Sequence, residues 1–280
     1  MKKKILLLIL LTTVILSYGQ NGSFRICGQE FSVYGLKGKS ISEALEYAAK
    51  LHDDYQDFIL THLKTVSPSF SDTGNLKQMI YTKTNDFFSE KGFHYDPNKY
   101  SISFTQADFN SLPFEMNSYS QEARNILRRL EELVKGFEDN NESIFFDGIQ
   151  QLKQMSLNIS DEKEVFAVGI PVYVAENSIR YWKRKGQEWL DTFTDTDTEV
   201  TPNGENGPSN LLIAVFKKKC DIKLRKIGGA DVAGGISGGY SGTTLGPGGA
   251  FAGAVLGSSV SSLGNLTNQV MDCLFNWWPF

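Results

Sequence analysis

Few residues in this chain are of the types that act as nucleophiles, metal ligands or redox groups. Its 280 residues include three histidines and three cysteines. His52 and His62 fall on one predicted helix seam, and a shared metal ion is the first chemistry such a pair suggests. They are ten residues apart, about 15 Å along a helix at 1.5 Å per residue, so one ion cannot join them. Both read instead as histidines satisfied inside a helix interface. His94 stands alone in a loop-like region. Asp195, Asp197 and Glu199 alternate in a loose echo of a calcium loop. The glycine and the distal bidentate glutamate of an EF-hand are missing, so a solvated linker is expected there.

The cysteines are Cys27, Cys220 and Cys273. An odd number in an exported chain allows one disulfide and leaves one thiol over. Cys220 and Cys273 flank a glycine-rich stretch, and a bridge between them would staple its ends. The alternative is three unpaired, small apolar side chains. Their spacing makes no metal site. Gly-x-Ser-x-Gly, His-Glu-x-x-His and a phosphate loop are all absent from the sequence, so no nucleophile elbow, zinc helix or nucleotide cradle is predicted. We expect no catalytic residues, no cofactor and no small-molecule substrate.

The elements that would position any site are helices. Ser40-Ile41-Ser42-Glu43 is a capping box, and a helix follows to about Thr65 with a seam of Leu45, Ala48, His52, Tyr55, Ile59 and His62. A second helix is expected from about Asn75 to Ser89. The clearest runs from Ser118 to Phe137, with Ala123, Ile126, Leu127, Leu130, Leu133, Val134 and Phe137 on its apolar face. A fourth turns Ile144, Phe145, Ile149 and Leu152 inward. A long fifth opens at Ser160-Asp161 and runs towards Trp189, and Gly169 and Pro171 are expected to kink it. Residues 22–39 read as extended or loop-like.

The strangest stretch is 228–264, which holds 13 of the chain's 26 glycines. No charged side chain lies between Asp231 and Asp272. Two four-residue ladders run through it: Gly234, Gly238, Gly242, Gly246, then Gly249, Gly253, Gly257, Ser261. Residues four apart stack on one helix face, and glycine there lets a second backbone come close. Each glycine costs a helix roughly 0.5–1 kcal/mol relative to alanine, so the pattern forms helix only where backbone groups are shielded from water. Interspersed Val232, Ile236, Tyr240, Phe251, Val255 and Leu263 argue against a flexible linker. The segment resembles the glycine-zipper hairpins of two-peptide bacteriocins and of some bacterial envelope proteins. That resemblance covers about residues 227–271. It implies tight helix pairing or membrane insertion, and no catalytic residues.

The chain begins Met1-Lys2-Lys3-Lys4, then an apolar run over 5–16, then Ser17-Tyr18-Gly19. This is the pattern of a secretory signal cleaved after Gly19. Residues 20–216 hold 19 basic and 29 acidic side chains, and residues 217–280 hold six and three. The first part therefore carries −10 and the second +3, a balance that disfavours nucleic-acid binding. The basic residues are Lys217, Lys218, Lys219, Lys223, Arg225 and Lys226, immediately before the ladders. They suit either an anionic membrane surface or an ordinary solvated helix face. Trp277 and Trp278 suit interfacial anchoring or a terminal aromatic plug.

The expected organisation is a signal peptide (1–19), a helical head (20–190), a polar linker (191–208), and a basic helix with the hairpin and aromatic tail (209–280). The expected fold class is all-α. Two roles are open. In one, the hairpin contacts a lipid membrane, with bacteriocin- or toxin-like activity. In the other, it is a structural part of a secreted or envelope interaction module, packed on its own head or on another copy. The discriminator is whether head-domain aromatics cover the hairpin.

Overall fold

The computed structural model describes residues 23–26, 29–32, 39–66, 73–93, 118–194 and 222–275. Among them are seven α-helices: α1 (Ile41–Val66), α2 (Thr73–Glu90), α3 (Gln121–Lys135), α4 (Glu142–Ser156), α5 (Glu162–Thr194), α6 (Leu224–Gly242) and α7 (Pro247–Phe275). A short antiparallel pair, β1 (Ser23–Ile26) and β2 (Gln29–Ser32), precedes them, with Ser23 opposite Ser32 and Ile26 opposite Gln29. The fold is all-α, as the helical periodicities predict.

The helix starts follow from local chemistry. Ser40 Oγ accepts from the Glu43 amide at 3.3 Å, and the Glu43 carboxylate accepts from the Ser40 amide at 2.7 Å. Two amides that helix geometry leaves over are thus satisfied reciprocally. At α3, Ser120 Oγ accepts from the Ala123 amide. The same serine donates to Glu164 of α5, through its amide at 2.8 Å and its hydroxyl at 2.5 Å. One residue therefore caps α3 and ties it to α5.

The apolar faces then choose the packing. On α1, Leu45, Ala48, His52, Tyr55 and Ile59 are buried, and Leu63 rather than His62 closes the seam. On α3, Ala123, Ile126, Leu127, Leu130 and Val134 are buried. On α4, Phe145, Ile149 and Leu152 turn inward. Ile144 does not: it is 67% exposed. It lies one position before Phe145, about 100° round the helix from the buried stripe, so both cannot face the core.

Helix α5 runs through the middle of the molecule and touches α1, α3, α4, α6 and α7. Residues 165–175 are buried without a break. The helix continues through Pro171 to Thr194, so the expected linker start at Asp191 is still helical. Gly169 has a packing reason. A methyl there would meet the Leu45 methyls of α1 at 2.9 Å.

Candidate functional site

The glycine-rich stretch forms two helices, α6 and α7, packed side by side and antiparallel. Their contact is backbone on backbone. A methyl at Gly238 would overlap the carbonyl of Gly253, and one at Gly253 would overlap the carbonyl of Gly238. Gly242 stands in the same relation to Gly249, and Gly257 to Gly234. A methyl at Gly234 would also strike Ser261. Each step of four up α6 is thus matched by a step of four down α7. Seven of the eight ladder positions meet across this seam.

The eighth does not. Gly246 was expected as a rung, but it lies in the connection at φ 88°, and nothing stands within 4 Å of the methyl it lacks. Its conformation is the left-handed one that glycine adopts without strain. The chain leaves α6 through a 3₁₀ turn (Thr243–Leu245), reverses at Gly246 and starts α7 at Pro247. Proline suits that first position, where its missing N–H has no intrahelical acceptor.

The paired glycines of α6 have a second reason. While Gly234, Gly238 and Gly242 face α7, Gly239 faces α5 and Gly235 lies where α5 and α7 meet. A methyl at Gly239 would lie 2.9 Å from the Ala167 Cα, while one at Gly235 would strike Ser258 Oγ of α7 and also lie 3.2 Å from Pro171 Cγ of α5. At Gly228 it would lie 2.8 Å from the Ile179 Cδ1. Helix α6 is flattened on two sides and sits between two other backbones. This close fit offsets the propensity cost of the glycines, since buried backbone groups would otherwise lose water without gaining contacts.

Aromatics of the head cover the apolar side of the pair. Phe251 of α7 is stacked by Phe93, with centroids 6.3 Å apart, and met edge-on by Phe166 at 5.6 Å. Tyr240 of α6 meets Tyr119 edge-on at 5.4 Å. The side facing water presents Ser237, Ser241 and Thr244, all exposed. No helix among the described residues is long and apolar enough to cross a membrane.

The hairpin carries a fully buried acid. Asp231 of α6 is 0% exposed, as are His52 of α1 and Ser178 of α5. Asp231 Oδ2 accepts from Ser178 Oγ at 2.5 Å and from Trp182 Nε1 at 3.4 Å. His52 Nε2 lies 3.2 Å from the same oxygen, within ion-pair range but poorly aligned for a hydrogen bond. His52 Nδ1 lies 3.1 Å from Asp53 Oδ1. Burial alone would push the imidazole down. The charge and close approach of Asp231, with the hydrogen bond and charge of Asp53, outweigh burial and raise the His52 pKa to about 9. His52 is therefore a cation at neutral pH, and the hairpin is held to α1 and α5 by a buried ion pair.

Beside it, Gln56 Nε2 donates to the Ser259 carbonyl at 2.9 Å and to Ser262 Oγ at 2.6 Å, tying α1 to α7. Tyr181 donates to Asp57 at 3.1 Å, and Trp189 Nε1 donates to Tyr181 at 3.1 Å. Serine, histidine and aspartate are all present, but the serine hydroxyl is committed to the carboxylate and the three are closed to solvent. The arrangement is a fastening, not a nucleophile with its base.

Sequence reasoning placed His52 in an interface but took Asp231 only as the edge of an uncharged stretch. The signal was available: a single acid early in a helix of glycine and alanine needs a buried cation, and His52 on an otherwise apolar seam is the complementary oddity. Ser178, Trp182 and Gln56 carried no such mark. Lys223, Arg225 and Lys226 fall at the start of α6. Lys217, Lys218, Lys219, Cys220, His94, Trp277, Trp278, the signal segment and the Asp195–Glu199 acids lie outside the described residues, as does the side chain of Cys273. No family model, no curated protein and no solved structure matches the chain.

Proposed function

We propose that this is an exported, non-enzymatic helical binding module, with the glycine-zipper hairpin as its internal pillar. Export rests on the basic, apolar and small-residue pattern of residues 1–19. The observation that carries the reading is the cover over the hairpin: Phe93, Phe166 and Tyr119 of the head pack on Phe251 and Tyr240, and small polar residues face water. A hairpin destined to rest in lipid would need the opposite arrangement, with its apolar side outward. Here the head takes the place of lipid as the apolar surround. Function then resides on the surface that the pillar holds rigid.

The test is flotation of the chain from residue 20 onward with vesicles of one-third phosphatidylglycerol in phosphatidylcholine. The protein stays with the unfloated fraction at neutral pH, and its tryptophan emission is unchanged by lipid. Flotation with a blue shift overturns this reading in favour of the second one. In that second reading the hairpin leaves the head and enters a membrane with toxin-like effect. Its support is the absence of any charged side chain between Asp231 and Asp272. It would require breaking the His52–Asp231 pair and exposing Phe93 and Phe166.

A further inference from the structure

The geometry points to a ligand site for a phosphate-type anion in the groove where α6 begins. The groove is open to solvent and has a volume of about 700 Å³ between the α3–α4 turn, the second half of α5 and the start of α6. That volume lies within the range of roughly 300–1,000 Å³ typical of small-molecule sites. Its floor includes Trp182 and Leu190. Lys183, Lys223, Arg225 and Lys226 line it, against Glu138 and Asp139.

Among the described residues the lining cations outnumber the acids. Lys183 is paired with Glu142 at 2.6 Å. Lys223, Arg225 and Lys226 make no ion pair among the described residues. The Arg225 guanidinium donates to the Lys135 carbonyl at 3.3 Å, which holds it across the groove with donors to spare. Lys223 occupies the cap position of α6 without a side-chain cap, and its own amide is turned to Gln269 at 2.8 Å. Three exposed cations, without an ion pair among the described residues, therefore stand around a concave space at the positive end of a helix. Arginine and lysine together with such an end suit the several oxygens of a phosphate better than a lone carboxylate. Glu138 and Asp139 come from the α3–α4 turn, so an anionic group is confined to the α6 side. The rest of the volume takes the body of the ligand against Trp182 and Leu190.

The site deepens the binding-module reading, on which it rests only in taking the water-borne fold as the working state. The flotation result judges that reading, and phosphate binding judges this one. The experiment is a titration of the ¹⁵N-labelled chain, from residue 20 onward, with inorganic pyrophosphate at constant ionic strength, with chloride as the control. Amides of residues 223–227 shift and saturate with pyrophosphate and do not with chloride. The Arg225→Gln/Lys226→Gln double variant weakens binding by roughly tenfold or more, because two charge-assisted contacts are lost. Lys163→Gln, a control outside the groove, leaves it unchanged. If the double variant does not fold, Lys226→Gln alone must weaken binding by about threefold or more. Non-saturating shifts, or unchanged affinity in the groove variants, overturn the assignment.

Discussion

Gly238→Ala puts the smallest possible side chain into the centre of the α6–α7 seam. In an exposed helix the change would stabilise by about 1 kcal/mol, because alanine is the better helix former. Here the added methyl coincides with the carbonyl of Gly253. The obstacle is backbone, so no rotamer change relieves it, and α6 must move away from α7. That movement is opposed on the other side, where Gly239 already lies against Ala167 of α5. Overpacking of this kind costs about 1–3 kcal/mol, and the absence of a flexible neighbour puts the expected net loss at about 2–3 kcal/mol. For a chain of this size that is a fall in Tm of roughly 5–10 °C. Thermal melts by circular dichroism would compare it with Ser237→Ala on the exposed face, which stays within about 0.5 kcal/mol of the parent. A Gly238→Ala protein as stable as the parent or more so would refute the backbone-to-backbone seam.

The remaining expectations concern the ion pair, the connection and the core. The His52 pKa is raised from 6.5 to about 9 on folding. Its contribution is therefore complete below about pH 6.5 and is lost as pH rises through about 9. Stability measured by denaturant at a series of pH values falls across that window, and the fall disappears in His52→Gln. Asp231→Asn leaves the buried imidazole without its main counter-charge. It costs about 3–5 kcal/mol, and the His52 pKa measured by NMR drops well below 9. At Gly246, with φ 88° and open space around it, alanine is strained by its backbone and not by contact, so Asn is tolerated better than Ala or Val in melts. Ile149→Ala costs about 2–5 kcal/mol in chemical denaturation, while Ile144→Ala, at 67% exposure, stays within about 0.5 kcal/mol.

The helices were legible wherever a cap and a period agreed. Ser40–Glu43 marks its helix start by side-chain chemistry that acts within four residues, so sequence alone suffices, whereas the cap at Ser120 lies two residues after the start expected at Ser118. The glycine ladder was legible for a related reason, since a four-residue period defines one face. Its second face was not. Gly239 makes sense only against Ala167 of α5, about 70 residues away in the chain. Gly246 fits the ladder by spacing, but turn chemistry overrides it once Pro247 follows. Ile144 was misplaced because a single residue beside the stripe cannot be assigned to a face by hydrophobicity alone. The ion pair was hidden because it joins α1 to α6 across most of the sequence, and neither partner belongs to a motif.

The central claim is that α6 and α7 are the inner pillar of the folded chain in water. Native-state amide hydrogen exchange tests it most directly. The account predicts that amides of Val232–Ile236 and Ala252–Leu256 exchange as slowly as those of α5, opening only with global unfolding. Exchange of these segments at rates typical of unstructured chain, while α5 stays protected, would contradict it.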